Sequence, residues 1–147
     1  MPPCRFLVLN GPNLGALGRR QPEIYGTSGL DAIPALVEKV LGDSSKVSLD
    51  FFQSNHEGRL IDRLEQALED KTDGVILNAG AFTHTSLALA DCLAWINIPF
   101  VEVHLSNVLA RRDEPLRHRS LLARHSIGII SGFGIMSYAL AAQALVA

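Results

Sequence analysis

Little in this sequence could serve as a covalent or metal staple. Cys4 and Cys92 are the only two cysteines among 147 residues, too few for a disulfide framework or a cysteine-based zinc site. Reduced, buried thiols are therefore expected. No uncharged apolar run approaches the roughly 18 to 20 residues of a membrane span, and the first residues lack a signal-peptide pattern. That predicts a soluble, cytoplasmic chain with no membrane partner. Charge of one sign is also missing: the net charge of −2 argues against a nucleic-acid surface. The histidines show no HExxH or zinc-like spacing and no Walker sequence occurs, so neither a metal nor an organic cofactor is expected. Lysine is confined to Lys39, Lys46 and Lys71.

What is present is a hydrophobic content of 48%, enough for one ordinary domain spanning residues 1–147. Five β-rich runs, Arg5–Leu9, Val47–Phe52, Gly74–Leu77, Phe100–His104 and Ile127–Ser131, alternate with helical patterns. Leu30, Ile33, Val37, Val40 and Leu41 share one helical face, and Leu60, Ile61, Leu64 and Leu68 another. Pro34 requires the first helix to begin near Asp31. Ser54 and Glu57 form a capping-box pattern for the second, Thr83 or Ser86 suits a cap for the third, and Ile135 to Val146 reads as the last. The alternation predicts an α/β fold, a flavodoxin-like doubly wound five-stranded parallel sheet of order 2-1-3-4-5. Gly132-Phe133-Gly134 reads as a tight strand-to-helix turn.

Each predicted strand runs into polar residues at its carboxyl end: Asn10 and Asn13; Gln53, Ser54 and Asn55; Asn78 and His84; His104, Ser106 and Asn107; Ser131. Ligands of open α/β sheets bind outside those ends, so five separated segments are expected to line one crevice. The lysines fall on the opposite side of that layout, which disfavours a Schiff base. Five of the ten arginines lie between Arg111 and Arg124, a cluster suited to a small anion or a subunit contact. Tyr25, His84 and His104 remain for proton chemistry.

The segment from Asn10 to Gly26 is long for a βα connection and carries several glycines and two prolines, as a lid or binding loop does. Two adjacent arginines precede Tyr25 by five residues. A tyrosine acting as a base near neutral pH needs its pKa lowered by roughly 2 to 3 units, about 3 to 4 kcal/mol. One guanidinium at about 4 Å supplies about 4 kcal/mol at an effective dielectric near 20. A single arginine is thus large enough an effect.

Asn10-Gly-Pro-Asn13, Leu17-Gly-Arg-Arg20, Tyr25-Gly, Gln53-Ser-Asn-His-Glu-Gly58, Asn78-Ala-Gly-Ala-Phe-Thr-His-Thr-Ser86 and Glu102-Val-His-Leu-Ser-Asn107 stand in collinear order. In these motifs the chain resembles type II 3-dehydroquinate dehydratases from about Phe6 to Ala141. The resemblance implies a hydro-lyase that converts 3-dehydroquinate reversibly to 3-dehydroshikimate by anti elimination through an enolate, without Schiff base or metal. It makes Tyr25 the base, Arg20 the cation that keeps it ionised, His104 the general acid and Glu102 its orienting carboxylate. Asn13 matches the residue that holds a water against the enolate oxygen. Asn78, the backbone at Leu105 and Ser106, and the Ser106 hydroxyl match the carboxylate site, while His84 and Arg117 match residues that bind ring hydroxyls. Asp91 matches a residue reaching the site from a neighbouring subunit, and the family assembles as trimers grouped into a homododecamer.

The stretch from Asn107 to Arg117 runs two residues longer than the usual family loop, which leaves Arg111, Arg112 and Arg117 as competing candidates for the crevice. Leu109 stands where a histidine is common, Ala90 precedes Asp91 where an arginine is usual, and Gln21 replaces a frequent Glu. The rival reading is a non-catalytic flavodoxin-like module that binds a small carboxylate or phosphate. The other residues weighed are Tyr138, expected in the core or an interface, and His56, His118 and His125, expected at the surface.

Overall fold

Runs of Val, Ile, Leu and Phe too short to be helices bury themselves best as neighbouring strands covered on both faces, and the chain follows that rule. The computed structural model describes residues 2–17 and 29–147. Its strands are β1 (Cys4–Asn10), β2 (Val47–Gln53), β3 (Gly74–Asn78), β4 (Phe100–His104) and β5 (Gly128–Ser131). They form one parallel sheet in the order β2-β1-β3-β4-β5, as expected. Every residue of β3 and β4 is buried, and each large apolar side chain sequestered there contributes roughly 1.5 to 3 kcal/mol of transfer free energy.

The helices are α1 (Ile33–Leu41), α2 (Glu57–Glu69), α3 (Phe82–Thr85), α4 (Leu87–Ile96) and α5 (Met136–Val146). α1 and α5 cover the sheet face formed by Val8, Ile76, Val101 and Val103. α2 and α4 cover the opposite face, formed by Leu7, Leu9, Val75, Leu77 and Phe100. Residues of one parity along a strand share a face. That period sends Asn10 and Asn78, paired in register, toward α5, and sends Glu102 and His104 together toward the side of α4.

Two expectations need correction. Ser54 does not cap α2: the helix begins at Glu57 after His56, while the Ser54 hydroxyl accepts from the His56 amide at 3.0 Å. The Glu57 carboxylate, instead of closing a capping box, accepts a short hydrogen bond from the Ser86 hydroxyl. A tertiary partner has outcompeted the local one. Ser86 does cap α4 through the Leu89 amide. Cys4 is exposed, because it opens the strand beyond the helical cover, whereas Cys92 is buried and burial pushes its thiol up to about 11.

Candidate active site

The crevice forms where the chain leaves β1, β3 and β4, and two backbone features set its shape. Gly11 passes so close to Ala79 that a Cβ there would lie 2.3 Å from the Ala79 carbonyl oxygen, and the Gly11 amide donates to the Asn78 carbonyl at 2.8 Å. The loop after β1 is thereby tied to the turn after β3. Asn13 adopts a left-handed conformation, φ 69°, and its amide donates to Asn55 Oδ1 at 3.0 Å. Gln53 Nε2 donates to the Gly11 carbonyl at 3.0 Å and to Asn55 Oδ1 at 3.2 Å. The end of β2 therefore acts as a bracket for Asn13, not as a ligand surface.

Asn78 and His104 are buried in the floor of the crevice, which Asn13, His84, Ser106 and Arg117 also line. Within the core, the Tyr138 hydroxyl donates to Asn10 Oδ1 at 2.5 Å and accepts from Asn78 Nδ2 at 2.9 Å. Asn78 Oδ1 accepts from the Gly80 amide at 3.2 Å. The Asn78 amide is thus oriented with its oxygen occupied and one N–H in hand for a ligand. Burial of Tyr138 raises its pKa far above that of a solvated phenol, which keeps it a neutral donor.

His104 meets Glu102 through Nε2 at 2.8 Å, which leaves Nδ1 as the nitrogen available to the crevice. His84 Nδ1 lies 2.6 Å from the Arg119 carbonyl. A carbonyl only accepts, so Nδ1 carries the proton and Nε2 keeps its lone pair. Burial lowers the His84 pKa, and the nearby His104 and Arg117 act in the same direction. The two imidazoles lie with centroids 6.1 Å apart and planes 18° from parallel.

Among the described residues, no backbone carbonyl accepts from the Leu105 or Ser106 amide. Two adjacent free amides beside a hydroxyl make an anion-binding concavity. Arg111 Nη2 donates to Ser106 Oγ at 3.0 Å, and Arg117 Nε donates to Glu114 Oε1 at 3.0 Å. Both arginines line the crevice, whereas Arg112 is exposed outside it. The segment after β4 thus brings Arg111 and Arg117 to the crevice.

Asp91 lies on the exposed side of α4 and does not reach its own chain's crevice. Tyr25 and Arg20 lie outside the described residues, as does Gln21. Tyr138 is wholly buried and His56 and His118 are exposed, as expected, while His125 is half-buried. Sequence reasoning missed the Tyr138 link to Asn78 and the hydrogen bond from Ser120 to Glu102. The first joins residues 60 apart, so no local pattern could have revealed it.

The family model for class II dehydroquinases matches residues 4–146. A 3-dehydroquinate dehydratase of Exiguobacterium sp. is 54% identical over 142 residues, covering 97% of this chain and 94% of that protein. The one from Parasynechococcus marenigrum is 51% identical over 141 residues, covering 96% and 94%. A crystal structure of a type II dehydroquinase from Butyrivibrio crossotus superposes with a TM-score of 0.90 at 38% identity, covering 99% of each chain.

Proposed function

The chain belongs to the class II dehydroquinase family, and from that premise we propose how it acts as a 3-dehydroquinate dehydratase: a stepwise anti elimination with Tyr25 as base and His104 as acid. The observation that carries the assignment of the acid is the buried pair in which Glu102 holds His104 by Nε2, leaving Nδ1 to the crevice. Tyrosinate Tyr25, kept ionised by Arg20, removes the C2 proton beside the C3 ketone. The electron pair moves onto the ketone oxygen to give an enolate, which a water held by Asn13 stabilises. In its acid form His104 carries protons on both ring nitrogens, with Nε2–H held by Glu102. As the enolate collapses, the C1–oxygen bond breaks and His104 delivers its Nδ1 proton to the departing hydroxyl, giving water, 3-dehydroshikimate and the neutral Nε2–H ring.

The remaining roles belong to the same proposal. The substrate carboxylate lies against the Leu105 and Ser106 amides, the Ser106 hydroxyl and the spare N–H of Asn78. Neutral His84 accepts from a ring hydroxyl through Nε2, and Arg117 donates to the ring's oxygens. Residues 1–147 act as one catalytic domain in the cytoplasm, assembled as a homododecamer in which Asp91 serves a neighbouring subunit's site.

The test is direct. Mixed with 3-dehydroquinate, the protein raises ultraviolet absorbance as the conjugated enone forms, and Tyr25→Phe loses nearly all of that rate. A wild-type protein that gives no rise from neutral to alkaline pH sinks the reading, and ligand-induced thermal stabilisation without turnover would favour a binding module instead.

A further inference from the structure

Behind the Glu102–His104 pair lies a residue that no motif singled out. Ser120 sits in the segment between Arg117 and β5, half-buried, and its hydroxyl donates to Glu102 Oε1 at 2.5 Å. Ser120 Oγ in turn accepts from the Leu122 amide at 3.1 Å and from the Ala123 amide at 2.9 Å.

A serine hydroxyl has one proton and two lone pairs. With both lone pairs taken by backbone amides, the proton is left to Glu102. Glu102 Oε1 is then an acceptor occupied by Ser120, and Oε2 the acceptor that faces His104 at 2.8 Å. An acceptor there requires the imidazole to present a proton at Nε2. Every bond in the chain thus has its direction fixed from the turn outward: amides to Ser120, Ser120 to Glu102, His104 to Glu102. Glu102 is 2% exposed, so water is a poor substitute for the hydroxyl.

We propose that Ser120 is a positioning residue for the acid: by donating to the outer oxygen of Glu102 it fixes the carboxylate's rotation and, through it, which nitrogen of His104 faces the substrate. The inference rests on the proposed role of His104 and extends it to a residue that does not touch substrate. Ser120 also ties two functions to one segment, because Arg117 stands three residues before it and the Arg119 carbonyl holds His84. The segment sets the tautomers of both crevice histidines.

Threonine and valine at position 120 have nearly the same shape, and only threonine keeps the hydroxyl. Ser120→Thr is expected to retain activity, whereas Ser120→Val lowers kcat about tenfold while KM changes by less than about twofold, the scale of losing one hydrogen bond to a charged group. In a Glu102→Gln background the same substitution costs no more than about twofold, since the partner it acts through is already altered. With ¹⁵N-labelled histidine, at alkaline pH where the ring is neutral, wild type and Ser120→Thr show the His104 proton on Nε2, and Ser120→Val shows a mixture of tautomers. Equal losses in both backgrounds, a change confined to KM, or an unaltered His104 signal in Ser120→Val would each overturn the proposal. If Ser120→Val does not fold, Ser120→Ala supplies the same comparison. A wild-type chain without turnover would count against the reaction, while the ¹⁵N signals still decide the role of Ser120.

Discussion

The 2.6 Å contact from His84 Nδ1 to the Arg119 carbonyl decides which side of that ring is basic, and burial decides that it stays neutral. Its pKa lies below the ordinary value of 6.5, so the folded state resists protonation that the unfolded chain accepts. The stability linked to His84 is therefore complete above the ordinary value and is lost as pH falls through it toward the depressed folded value. In urea unfolding measured from about pH 7.5 down to pH 5, wild type is expected to lose stability relative to His84→Gln. Parallel curves would show that the ring is solvated after all. Asn78 presents the same logic without titration, since its amide has a direction because Tyr138 occupies one N–H and Gly80 the oxygen. Both histidines and Asn78 were legible as candidates from their places after strands. The atoms they present were not, because those depend on Arg119, Glu102, Ser120 and Tyr138.

Strands and helices here serve mainly to fix where loops begin, and the loops after β1 and β3 meet at Gly11 and Ala79. Gly11→Ala places a methyl group against the Ala79 carbonyl oxygen, where 2.3 Å leaves no room. The loops after β1 and β3 must then separate. Overpacking of this kind costs about 1 to 3 kcal/mol. The expected outcome is a lower melting temperature together with a raised KM, because Asn13 and Asn78 shift relative to each other. An unchanged KM would mean that the crevice tolerates loop movement. At this scale the strands were legible to within one residue at each end: in β1 and β3 burial on both faces writes a continuous apolar run, while the edge strands β2 and β5, part of whose residues are exposed, were marked by their β-rich composition. The start of α2 was misread. Ser54 and Glu57 have the right spacing for a capping box, but Ser86, 29 residues away, offers Glu57 a hydrogen bond that spacing does not register.

Across the whole molecule, one sheet collects the ends of β1, β3 and β4 into a single crevice while turning Asp91 away from it. Leu87, Asp91 and Trp95 recur every four residues along α4 and are all exposed, so they form one outward stripe. If Asp91 completes a neighbour's site as proposed, Asp91→Asn and Tyr25→Phe damage different halves of a shared site. Co-expressed chains carrying one substitution each should regain part of the activity that neither has alone, in particles whose mass by light scattering equals twelve chains. Absence of any recovery in such mixed particles would confine Asp91 to its own subunit.

The sequence by itself determined the layers: apolar runs specify strands, the four-residue stripes specify covering helices, and alternation of the two specifies a parallel sheet whose carboxyl ends hold the polar residues. It also determined that Glu102 and His104 share a face, because a strand repeats every two residues. Only the tertiary structure decided which atoms those residues present. Hydrogen-bond direction depends on the last partner in a chain, and Ser120, Tyr138 and Arg119 are brought to their partners by sheet order and helix packing, not by any spacing that a local pattern could contain.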